Sequence, residues 1–85
     1  MYSRCVKRSV IVGGSRTSIS LEEPFWQRLK DIAARRRIPV SAVVREIDLE
    51  RNDINLSSAI RTYILRDADQ WLDYYRQQLA TASDP

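Results

Sequence analysis

The sequence has no histidine, a single cysteine and only two glycines. Without histidine it lacks the side chain that most often moves protons near neutral pH, which removes the commonest acid–base chemistry. Cys5 has no evident activating base and no second thiol to bond, so a reducing, intracellular setting is the simpler reading. Long hydrophobic runs are missing too. The longest in the first twenty residues is "VIV", Val10 to Val12, too short for a secretory core and far from a membrane span. A soluble, cytoplasmic protein is expected. No cofactor is implied. A metal site is not expected either: "DLERND" has the acidic alternation of a calcium loop but sets Asp53 where the required glycine belongs.

Acid is also absent from residues 1–20, which carry Arg4, Lys7, Arg8 and Arg16 and a net +4, more than the +3 of the whole chain. Residues 21–40 add +2, whereas 41–53 and 54–85 carry −2 and −1. A basic first half suits a polyanion, and the same field attracts acidic membranes and proteins. The chain's 85 residues allow one small domain, and so small a core is commonly completed by a second copy. At 44% hydrophobic and 29% charged, the composition is that of a folded, helix-rich protein.

Residues 1–14 are expected as a basic, partly flexible arm. Gly13 and Gly14 separate two β-prone pieces, Val10 to Val12 and Arg16 to Leu21. A tight turn there would make a hairpin. The first piece is short and lacks clean alternation, so the pair reads instead as a hinge. A helix opens at "SLEEP": Ser20 and Glu23 have capping-box spacing and Pro24 suits a first turn. Phe25, Leu29 and Ile32 form its apolar stripe, with Trp26 and Ala33 beside them, and Arg35, Arg36 and Arg37 close it as a solvated end before Pro39. Ser41 is the expected N-cap of a second helix with Val40, Val43, Val44 and Ile47 on one face, ending near Arg51. Asn55 is the expected cap of a third, whose stripe runs Leu56, Ile60, Ile64, Ala68, Trp71, Tyr75 and Leu79. A kink or break is open near residues 66–70. Trp71, Tyr74 and Tyr75 read as core or dimer packing. Residues 81–85 are a frayed tail.

In "SRTSISLEEPFW", residues 15–26, Arg16, Ser18 and Ser20 alternate with Thr17, Ile19 and Leu21. No second strand is evident downstream. An unpaired strand exposes a row of peptide donors and acceptors, and the same strand of a second copy satisfies them. A two-fold ribbon would bury Thr17, Ile19 and Leu21 and present Arg16, Ser18 and Ser20 twice.

The strand "RTSISL", the helix "EEPFWQRLKDIAARR" and the helix "VSAVVREIDLER" resemble the ribbon-helix-helix family of DNA-binding proteins. "RTSISLEEPFW" with "REID" and "NLSSAIR" looks like a bacterial subfamily of that fold. The resemblance implies a mainly α fold with one short β-strand. It would be an intertwined homodimer with an intermolecular antiparallel two-stranded ribbon. Its core would span residues 15–52, with an additional C-terminal helix over 53–80. It implies a transcription regulator whose ribbon enters the major groove of double-stranded DNA. By position, Arg16, Ser18 and Ser20 are the implied base contacts. Serines stand where the family usually has longer amide or basic side chains, which implies weaker discrimination there. Backbone contacts fall on Val40, Ser41 and Ala42 at the start of the second helix, with Lys7 and Arg8 added from the arm. The implied dimer core is Thr17, Ile19, Leu21, Phe25, Trp26, Leu29, Val43, Val44 and Ile47. Glu22 and Glu23 follow the ribbon closely and oppose phosphate unless turned away.

Two further readings stand beside this one. An antitoxin-like protein-interaction module would use the C-terminal helix, and a structural dimer would hold polyanions nonspecifically.

Overall fold

The computed structural model describes residues 4–82, without the side chains at 71, 75 and 79–82. Two strands come first, β1 (Cys5–Val12) and β2 (Ser15–Glu22), then three helices, α1 (Glu23–Arg36), α2 (Val40–Glu50) and α3 (Leu56–Ala82).

The partner of β2 lies upstream, in the stretch expected as an arm. β1 and β2 pair antiparallel from Val12↔Ser15 to Cys5↔Glu22. Gly13 and Gly14 hold φ of 59° and 85°. Positive φ at both central residues belongs to the two-residue hairpin turn whose twist matches that of the strands. The glycines therefore make a turn rather than a hinge. The arm is a strand, and the ribbon seen here is intramolecular; two-fold intertwining is not needed to satisfy β2 on this side.

Alternation explains why β1 is hard to see in sequence. Residues opposite each other share a face, so Val6, Arg8, Val10 and Val12 join Leu21, Ile19, Thr17 and Ser15 toward the helices. Arg8 interrupts the apolar series and Ile11, 62% exposed, stands on the wrong side for it. The charge is accommodated locally. The Arg8 guanidinium lies 4.6 Å from the Trp26 ring and pairs with Glu23.

Glu22 is the N-cap of helix α1, though its side chain makes no cap hydrogen bond, and Pro24 sits in the first turn. Ser20 is not a cap: it is held extended inside β2, opposite Lys7. At the other end Arg37 adopts the left-handed conformation (φ 59°), and the Ile38 N–H returns to the Ala33 carbonyl at 3.0 Å. Helix α2 is capped by Pro39, not Ser41. The Pro39 carbonyl accepts the Ala42 and Val43 N–H groups at 3.0 and 3.4 Å, so Ser41 falls inside the first turn. Asn55 does cap α3, accepting the Ser58 N–H at 3.0 Å. α3 is one helix through residues 66–70. Trp71, Tyr75 and Leu79 of its stripe lie outside the described side chains.

The core closes within one chain. Val12, Ile19 and Leu21 of the sheet meet Leu29, Ile32 and Ala33 of α1, Val43, Val44 and Ile47 of α2, and Ala59, Ile60 and Ile64 of α3. Burying each larger side chain contributes on the order of 1.5–3 kcal/mol. Phe25 and Trp26 pack against this cluster half-buried, and Thr17 is also half-buried. The arginine run ties helices together. Arg35 pairs with Asp67 at 2.7 Å, and Arg36 with Glu46 at 2.9 Å and the Tyr63 hydroxyl at 3.4 Å.

Candidate nucleic-acid interface

The face of the hairpin turned away from the helices follows from the register. Lys7 is opposite Ser20, Ser9 opposite Ser18 and Ile11 opposite Arg16. Arg16, Ser18, Lys7 and Ser9 are exposed and Ser20 is half-buried. All three residues expected to meet bases thus share one face, and β1 sets Lys7 and Ser9 beside them.

The end of this face nearest α1 is closed by α3. The Ser20 N–H donates to the Ser57 hydroxyl at 3.0 Å, and Arg61 donates to the Ser20 carbonyl at 3.1 Å. Arg61 also holds Glu22 at 2.9 Å and reaches Cys5 Sγ at 3.5 Å. A hydrogen bond from its own backbone and then the Arg61 guanidinium hold the Glu22 carboxyl below the ordinary carboxylate value, and Glu22 in turn raises Arg61. Glu23 is engaged by Arg8 and by Gln27 at 2.8 Å. Both acids that follow the ribbon are therefore counter-charged, and no unpaired carboxylate stands among Lys7, Ser9, Ile11, Arg16, Ser18 and Ser20.

The residues expected to contact the backbone are divided. Lys7 shares the outward face. Arg8 points to the opposite side and is committed to Trp26 and Glu23. Val40, Ser41 and Ala42 do form the start of α2, all half-buried. The Ala42 N–H is already taken by Pro39, which leaves the Val40 and Ser41 N–H groups at the positive end of the helix. Sequence reasoning missed Arg45. Its Nη1 lies 2.5 Å from where a Gly13 Cβ would stand, which sets an exposed guanidinium over the hairpin turn. It missed Ser57 and Arg61 as well, since their roles depend on α3 crossing the end of a sheet far away in sequence.

A two-stranded antiparallel ribbon followed by helices over a common core is consistent with a ribbon-helix-helix unit. The chain belongs to that family: the family model for the ribbon-helix-helix domain matches residues 5–68, from the start of β1 into α3. This is a DNA-binding or regulatory fold rather than an enzyme family. No curated protein and no solved structure matches the chain. Among the described residues no helix is long and apolar enough to cross a membrane, and no group of three or more His, Cys, Asp or Glu is placed to hold a metal ion.

Proposed function

We propose that this protein is a dimeric DNA-binding transcription regulator that sets the outward face of its β-ribbon in the major groove. The observation that carries this reading is the face itself: Lys7 and Arg16 among serines, with Glu22 and Glu23 counter-charged beside it. A major groove about 12 Å wide admits a two-stranded ribbon. Arg16 suits bidentate contact with guanine, whereas the Ser18 and Ser20 hydroxyls donate or accept and discriminate less. Lys7, Arg45 and the free N–H groups of Val40 and Ser41 are the backbone contacts, and they position rather than specify.

Arg16→Ala is expected to cost about 1–3 kcal/mol on a preferred site and to relax preference at one base pair per half-site. Binding isotherms on matched and mismatched duplexes with competitor DNA measure both. Equal affinity of variant and parent for every duplex removes Arg16 from the interface, and loss of binding to competitor favours nonspecific polyanion affinity.

A second reading, an antitoxin-like module, is favoured by one observation. Leu65, Leu72 and Tyr74 of α3 are 56%, 53% and 55% exposed. Leu72 and Tyr74 lie beyond Asp67, where Arg35 ties the helix to α1.

A further inference from the structure

The end of α2 and the start of α3 do not close against each other. Between them the connecting loop leaves a cleft of about 280 Å³, near the lower bound for small-ligand pockets. Its floor is apolar. Ile47 and Ala59, both members of the core, line it together with Ile54, an exposed apolar residue in an otherwise polar loop.

Three charged side chains also line the cleft: Glu50, Arg51 and Arg66. Arg51 is engaged within its own loop, holding Asp48 at 2.6 Å and donating to the Ile54 carbonyl at 2.8 Å, which fixes one wall. Glu50 and Arg66 differ. Among the described residues neither side chain makes an ion pair or a hydrogen bond, and although they share one cleft they do not pair with each other.

Opposite charges placed in this way select a ligand by sign. A dicarboxylate is repelled by Glu50 and a diamine by Arg66, whereas a molecule with one ammonium and one carboxylate satisfies both. The ammonium has a second attraction. Glu50 is the last residue of α2, and the final turn of that helix holds no basic residue to offset the negative end of its dipole.

We infer that this cleft binds a free aliphatic α-amino acid, with its carboxylate on Arg66, its ammonium on Glu50 and its side chain against Ile47, Ala59 and Ile54. The site stands without the DNA-binding reading, which adds only a consequence. Helix α2 runs from the cleft back to Val40 and Ser41, so a ligand that joins its last turn to α3 bears on the two N–H groups proposed to hold phosphate. By linkage, DNA and the amino acid then change each other's affinity by the same factor.

The test titrates the full chain with L-leucine in the absence of DNA and reads amide chemical shifts. Saturable shifts are expected within residues 47–66 and not on the ribbon. Three analogues each lack one feature: isocaproate the ammonium, isoamylamine the carboxylate and glycine the side chain. Each is expected to bind at least about tenfold more weakly than leucine, a factor within reach of one lost charged or apolar contact. Arg66→Gln should weaken leucine and isocaproate alike. Glu50→Gln should bring leucine down to the level of isocaproate and leave isocaproate no weaker. Both residues are exposed, so helical circular dichroism is expected to match the parent, and if either variant does not fold the analogue series on the parent decides. No saturable shift with leucine, shifts centred elsewhere, analogues as tight as leucine, or folded variants that bind leucine as the parent does would each overturn the inference. Leucine binding by a chain without DNA affinity keeps the cleft site and removes the DNA reading. DNA binding by a chain indifferent to leucine does the reverse.

Discussion

Arg61 is the residue on which the end of the ribbon depends. One guanidinium reaches Glu22, the Ser20 carbonyl and Cys5, and so couples α3 to both strands. The Glu22–Arg61 pair is partly exposed, and pairs of that kind contribute modestly, so its effect is local order rather than global stability. Its pH dependence has a definite sign. The folded carboxyl sits below its unfolded value, so the stabilisation is present above the unfolded value and lost as the pH falls through the folded one. Protection of the Ser20 amide from hydrogen exchange is expected to drop on acidification at the foot of the carboxylate range. In Glu22→Gln it should be lower at neutral pH and much less acid-sensitive. Protection that falls identically in parent and variant would assign the effect to other acids. Sequence alternation exposed Arg16, Ser18 and Ser20 as one face because strand periodicity is local. Ser57, Arg61 and Arg45 were hidden, since each acts across a distance only the tertiary fold supplies.

At the scale of the elements, the helices are written in the spacing of their apolar residues, and α1, α2 and α3 lie close to where that spacing sets them. Caps were less legible. Proline took the α2 cap from Ser41, and strand pairing took Ser20 from α1. The strand β1 was obscured by Arg8 on the helix-facing side and Ile11 on the other, two residues out of phase with a plain alternation. The hairpin makes a prediction that a hinge does not. Gly14 holds φ +85° with open space around its missing Cβ, so Gly14→Ala meets no neighbour and isolates the backbone strain. Its cost is expected to be about 1–2 kcal/mol in denaturant unfolding. Were the pair a flexible hinge, the same change would be neutral or slightly stabilising, through the smaller entropy of the unfolded chain. Gly13→Asn should be tolerated, since asparagine accepts positive φ and only the mobile end of Arg45 must move.

At the scale of the whole molecule, a hydrophobic cluster formed within one chain carries a small basic face. Among the described residues, twelve buried side chains from the sheet and all three helices form one cluster within the chain, and Ile19 and Leu21, expected in a dimer core, are among them. In the proposed dimer, a second copy would double Arg16 and Ser18 on an otherwise small basic face. The charge, concentrated in residues 1–40, lies on the same half of the chain as that face. Selection of genomic DNA fragments by the purified protein, in competitor and at moderate salt, tests this most directly. Enrichment of a short repeat whose half-site preference weakens in Arg16→Ala is expected. Recovery of fragments no different from the input pool, or an enriched motif indifferent to Arg16, would contradict it.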